Sequence, residues 1–217
     1  MIIKKYGITL ARLTAEDIEL VRIKRNSPAI QSKMFFQKPI AEQEQKEWFQ
    51  SINNEKNYYF IIQSSGEKVG LIHGKIHSYD DKVAEGGMFI WDEKCLGSHI
   101  PVIASVCMAD LTFFIMKMDK TIAEVRTDNL RALKYNLELG YHITEKLKDS
   151  NKVLMELTKE SYFQSAKKIR ETVKKIAKDH SDLSWEDIDI TGVDFDKLYQ
   201  NIPDYLKNEV IKKINHV

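Results

Sequence analysis

Between Glu124 and Tyr141 the chain reads EVRTDNLRALKYNLELGY, a short strand, a helix opened by an Asn, and a Gly-Tyr exit into another strand. Strands and helices that alternate so closely need a sheet to join and a covered helical face, which places the chain among mixed folds. The rest of the sequence extends the pattern. Lys5 to Leu13 alternates apolar and polar residues as one half-buried strand. Thr14-Ala-Glu-Asp17 is a capping box for a helix with Ile18, Val21 and Ile23 inward, and Trp48, Phe49 and Ile52 mark a second amphipathic helix. Tyr58 to Gln63, Lys68 to His77 and Val83 to Trp91 are three successive strands, the first two joined by a hairpin at Ser64-Ser-Gly-Glu67. A long apolar helix follows from Ile100, then a strand from Thr121 to Arg126 and the helix from Asn129 to Leu139. Tyr141 to Lys146 and Val153 to Leu157 form a last strand pair. The expected order is β α α β β β α β α β β, an α/β (α+β) fold with a largely antiparallel sheet and a helical crossover.

Composition sets limits on function. The chain has 217 residues, 43% hydrophobic and 30% charged, with a net charge of +1. That balance gives no overall pull toward nucleic acid or an anionic membrane. The most apolar run, Ile100 to Met118, contains Asp110 and Lys117, so it suits a buried helix and no membrane span is expected. The first residues lack the apolar core and cleavage site of a signal peptide, and a cytoplasmic location is expected. Cys95 and Cys107 provide neither a disulfide framework nor a metal pair, so no metal site is expected.

Two places carry chemistry. Lys94-Cys-Leu-Gly97-Ser98-His99 lies between a strand and a helix whose first turn holds Pro101. Such a loop presents free N–H groups and the positive end of a helix dipole, a site for a pyrophosphate. The second place is the helix that begins at Asn129, with Ala132 three residues on and Gly140-Tyr141 at its exit. Together these resemble the GCN5-related N-acetyltransferases, with their Q/R-x-x-G-x-G/A loop and their N-x-x-A…G-F/Y helix. The resemblance covers residues 5 to 158. Lys94 is a conservative departure, Gly97 matches, and His99 stands where a small residue is expected.

The resemblance implies a GNAT-type mixed sheet flanked by helices and an acetyl-CoA-dependent transfer to an amine. It assigns the CoA arm to Asn129 and the pyrophosphate to Lys94, Gly97, Ser98 and His99. It also implies that a backbone N–H of the strand before the crossover, at Phe89 or Ile90, serves the thioester carbonyl. Many relatives carry a tyrosine acid at the position of Asn136. Tyr135 lies one residue earlier, about 100° around the helix; it reads as a packing residue, or as the catalytic acid if a local bulge brings it round. Thiolate is a fair leaving group near neutral pH, so Asn136 suffices to orient it. For the base, Glu85 and His73 rank together. His73, Lys75 and His77 share one strand face, which makes that face polar.

The acceptor side rests on the N-terminal helices. Arg25-Asn26 and Ile40…Trp48-Phe49 resemble bacterial acetyltransferases of nucleotide-linked amino sugars, which makes Arg25, Asn26 and His77 candidates for substrate binding. Trp48 and Phe49 also read as core anchors. A protein N-terminus, a small-molecule amine, or a catalytically inactive binding module are the alternatives, and a homodimer is an open reading. Residues 159–217 read as a charged helical extension of the domain at 1–158. There the basic helix at 167–178 is followed by Asp179 to Asp196, with seven acids and no Lys or Arg. These charges pair internally or leave the basic face to an acidic partner.

Overall fold

The computed structural model describes residues 1–215. In chain order the elements are β1 (Ile2–Lys5), β2 (Ile8–Arg12), α1 (Ile18–Arg25), α2 (Pro28–Gln31), α3 (Glu42–Ile52), β3 (Asn57–Ser64), β4 (Glu67–Ser78), β5 (Val83–Ile90) and α4 (Glu93–Leu96). Then come α5 (Ile100–Asp110), β6 (Lys120–Arg126), α6 (Leu130–Glu138), β7 (His142–Leu147) and β8 (Lys152–Thr158). The extension supplies α7 (Lys159–Ser165), α8 (Lys167–Ala177), β9 (Ile188–Asp189), α9 (Phe195–Asn201) and α10 (Asp204–Asn215). A wider π turn, Leu111–Ile115, continues α5. Among the described residues no helix is long and apolar enough to cross a membrane.

One nine-stranded sheet runs β7-β8-β6-β5-β4-β3-β2-β1-β9. The single strand expected over Lys5 to Leu13 is instead split into a hairpin. Tyr6 (φ 53°) and Gly7 (φ 80°) are both left-handed, which is the two-residue turn that returns β2 along β1. Ile23, expected inward, is 55% exposed because Val21 takes the buried stripe of α1.

The strand pleat divides the core between two faces. Tyr58, Phe60, Ile62 and Ile72 point to one side, where α5 covers them with Ile103, Ala104 and Cys107. Their neighbours Ile61 and Leu71 point to the other, under α1 and α3, where Trp48, Phe49 and Ile52 pack half-buried. The extension belongs to the α5 side. Val173, Leu183 and Ile188 join the same apolar cluster, and β9 pairs with β1 at the sheet edge.

A buried polar node ties these parts together. Asp110, fully buried at the end of α5, accepts from Tyr6 Oη at 3.1 Å and Tyr162 Oη at 2.8 Å. Arg170 of α8 places Nε 3.6 Å from the same carboxylate, with its guanidinium 5.1 to 5.3 Å from the ring centres of Phe114, Tyr162 and Phe163. The basic helix spends further charge on the acidic segment that follows it, through Arg170 and Lys174 on Asp182. Lys5 of β1 holds Asp179 and Asp187 in the same way.

Burial raises the Asp110 carboxyl from 3.8 to about 6, against the pull of Tyr162, Arg170 and Tyr6. A carboxyl whose folded pKa lies above its unfolded one stabilises the fold fully below the unfolded value, and that contribution is lost as pH rises through about 6. Wild-type stability relative to Asp110→Asn should therefore fall by about 3 kcal/mol between about pH 4 and pH 6 and stay level above. Urea unfolding of both proteins across that range measures it, and a pH-independent difference contradicts it.

Candidate active site

The sheet opens where β5 meets β6. Their parallel pairing covers only Val83, Ala84 and Glu85 against Lys120, Thr121 and Ile122, although β5 runs on to Ile90 and β6 to Arg126. β6 is held on its far side by β8 along its whole length, and β5 by β4. The gap between them is bordered by main chain. Lys82 O accepts from Asp119 N at the head of β6, while Trp91 N donates to Val69 O of β4. Strand alternation then turns the even residues of β5 toward the gap and the odd ones toward β4. Met88 and Ile90 present their N–H groups to the gap. Phe89, a candidate for that role, faces β4 instead, because its register with Leu71 commits its backbone there.

At the end of β5 the chain turns through α4 into the loop at Gly97. Lys94, Gly97, Ser98 and His99 are all exposed. Gly97 has an ordinary φ of −91°, and a Cβ built on it meets nothing within 4 Å, so space is open on the outer side of the loop. Ser98 Oγ accepts from Ile100 N at 3.1 Å, and Pro101 has no N–H to offer. In the first turn of α5 this leaves the Val102 N–H without a partner among the described residues.

α6 lies beside this loop. Asn129 Oδ1 accepts from Ala132 N at 3.2 Å, so the side chain caps the helix and its amide NH₂ remains for other use. Asp128, its competitor for the cap, is instead forked onto Arg126. Tyr135 donates its hydroxyl to Pro101 O at 3.0 Å, and burial raises its pKa, which keeps the phenol protonated. Asn136 points at the sheet, with Nδ2 3.8 Å from Met155 Sδ, and Met155 is the β8 partner of Ala123 on the border of the gap. Gly140 ends the helix at φ 98°, where a Cβ would come within 3.0 Å of Ser161 O.

The polar row lies on the α1 and α3 face. Trp48 of α3 meets the Tyr59 ring edge-on at 5.3 Å, and Tyr59 stacks on His73 at 4.7 Å and 9°. The imidazole then covers Gly87, its cross-strand partner, so closely that a Cβ there would lie 2.5 Å from His73 Cε1. His73 thus sits one residue before the free N–H of Met88. Burial lowers its pKa from 6.5 to about 4, with Glu85 opposing and Lys75 assisting, so it is neutral near pH 7. His77 Nε2 lies 2.7 Å from Glu85 Oε2, which brings together two candidates given separate roles in the sequence.

Of the candidates on the acceptor side only His77 is in this cluster, and Arg25 and Asn26 lie elsewhere. Asn26 clamps Ile40 by two bonds, Nδ2 to O at 2.9 Å and Ile40 N to Oδ1 at 2.8 Å, and Arg25 Nη1 reaches Phe36 O at 3.4 Å. Both fasten the loop between α2 and α3, whose backbone amides need partners that the loop does not supply itself. Sequence reasoning missed Tyr59, whose aromatic contacts place His73, and the glycine pair Gly86-Gly87, which is the visible signal of a close approach on that strand.

Replacing Gly87 by Ala should push the His73 ring out of its stack. The His73 NMR titration midpoint would then rise from about 4 toward 6.5, and the fold would lose about 1–3 kcal/mol from overpacking. An unmoved midpoint counts against the packing described.

A family model described as Acetyltransferase (GNAT) domain matches residues 8–142, more than half of the chain. No curated protein matches it. A domain from Methanocaldococcus jannaschii is 24% identical with a TM-score of 0.60, over 70% of this chain and 97% of its own. Spermidine N-acetyltransferase from Vibrio cholerae, solved with CoA and spermine, is 19% identical with a TM-score of 0.61, over 72% of this chain and 98% of its own. Aminoglycoside acetyltransferase AAC(6')-Ib, solved with coenzyme A, is 15% identical with a TM-score of 0.63, over 73% of this chain and 98% of its own. The chain belongs to the GNAT acetyltransferase family and is an acyltransferase.

Proposed function

We propose that the protein transfers an acetyl group from acetyl-CoA to the primary amine of a small molecule. The observation that carries this reading is the main chain of Met88 and Ile90, unpaired on the β6 side beside the polar cluster of His73, Glu85 and His77. Acetyl-CoA supplies an activated thioester. The residues present fit it: an open strand edge for the pantetheine amides, open space outside Gly97, and the unpartnered Val102 N–H at the start of α5 for the pyrophosphate. Asn129 offers its free amide from the neighbouring helix.

The chemistry follows from what each group can still do. The N–H of Met88 or Ile90 faces the gap where the carbonyl oxygen needs a donor. Glu85 with His77 takes the proton from the attacking ammonium, since a carboxylate hydrogen-bonded to an exposed imidazole can pass it on to water. His73, neutral and only a weak base, holds the amine through a ring-nitrogen lone pair. Among the described residues, neither Tyr135 nor Asn136 is suited to protonate the thiolate. Tyr135 is tied to Pro101 O and Asn136 carries no acidic proton, so the thiolate leaves unprotonated.

For the finer reading of a nucleotide-linked amino sugar, Arg25 and Asn26 are engaged with the loop between α2 and α3, and His77 is the candidate that stands in the cluster. The structural neighbours named for spermidine and aminoglycosides favour a small polyamine or amino sugar as the acceptor.

Calorimetric titration with acetyl-CoA should show binding, and a panel of polyamines, amino sugars and sugar nucleotides should release free thiol with at least one acceptor. Binding without transfer across the panel would favour an inactive binding module. Gly97→Asp should leave thermal unfolding unchanged, since its Cβ meets nothing, while weakening acetyl-CoA binding. Unchanged affinity would remove the loop from the site. Glu85→Gln should lower kcat by about 10²-fold with little effect on acetyl-CoA affinity. A variant with full turnover would overturn the assigned proton acceptor.

A further inference from the structure

The loop that ends at His99 leads directly into a groove between α5 and α8. Its floor is apolar, made by Val102 of α5 with Ile169, Val173 and Ile176 of α8, and its rim carries His99, Lys168 and Thr172. The groove is open to solvent and holds about 270 Å³. Ile176 is 48% exposed along it, an apolar side chain left facing water.

The charges of α8 divide between its two sides. Arg170 and Lys174 turn to Asp110 and Asp182. Lys168, on the groove side, has no carboxylate partner among the described residues. An apolar floor with one free ammonium at its edge suits a flat, uncharged ring that bears an anionic group. Thr172 Oγ1 donates to Lys168 O, so its hydroxyl proton is committed and it adds no second donor for the anion.

This combination describes one end of the cofactor. Beyond its pyrophosphate, CoA carries a purine and a ribose 3′-phosphate, and a pyrophosphate held at Gly97 to Val102 delivers them to the mouth of this groove. The geometry points to the groove between α5 and α8 as the seat of the adenosine 3′-phosphate of CoA, with Lys168 on the phosphate and Val102 and Ile176 under the purine. The inference rests on the acetyl-CoA reading above. It makes the C-terminal extension part of the cofactor site. It also gives a physical reason for His99 at a position where the resemblance expects a small residue: its ring forms the step between loop and groove.

Calorimetry with CoA, dephospho-CoA and adenosine 3′,5′-bisphosphate tests it on the full chain. Wild type should bind CoA about ten-fold more tightly than dephospho-CoA, and Lys168→Glu should erase that preference while leaving dephospho-CoA affinity within about two-fold. Lys167→Glu, an exposed change of the same charge outside the groove, should keep the preference. Adenosine 3′,5′-bisphosphate should compete with CoA in wild type and not in Lys168→Glu. Equal binding of CoA and dephospho-CoA by wild type, or a preference that survives Lys168→Glu, overturns the adenosine assignment and leaves the acetyltransferase reading in place. A wild-type protein that binds no CoA overturns both.

Discussion

Three residue pairs between β5 and β6 govern this molecule. Up to Glu85 the two strands hold each other, and beyond it each is claimed by its outer neighbour, β4 on one side and β8 on the other. Twist accumulates along a mixed sheet, and a parallel contact this short cannot pull the strands together again. Among the described residues a strip of main chain is left without a partner within the sheet, where backbone groups are normally satisfied. The glycines at 86 and 87, the loop after β5 and the caps of α5 and α6 are all arranged around that strip.

The candidate residues are held by contacts that serve packing first. His73 is fixed by a chain of rings that begins at Trp48 on α3, and that chain keeps the imidazole uncharged. Tyr135 is immobilised by a carbonyl of α5, which sets the distance between the two helices that flank the loop at Gly97. Positioning of this kind comes from the scaffold and costs little when a ligand arrives.

What could be read from the sequence was local. The cap at Asn129, the meander of β3, β4 and β5, and the pairing of α8 with the acids after it depend on residues close together in the chain. The direction of a main-chain N–H on β5 depends on register with β4, which no residue of β5 announces, so Phe89 and Ile90 were equivalent until the pairing was known. Asn26 had the chemistry of a substrate ligand, but its partner Ile40 lies across a loop. The turn at Tyr6-Gly7 was hidden because Tyr6 is buried and so continued the apolar alternation of a single strand. Strand β9 is two residues long and has no pattern to detect.

The node at Asp110 has a consequence for the order in which the protein can be made. Its carboxylate is enclosed by Tyr162 and Arg170, and the apolar cluster beside it is completed by Val173, Leu183 and Ile188, all of which leave the ribosome after the last strand pair. Until they arrive, the sheet and α5 carry an exposed apolar face and a carboxylate without its arginine. Domains generally fold as units during synthesis. Here the unit closes late, and the nascent chain must remain soluble with its central helix uncovered while the extension is translated.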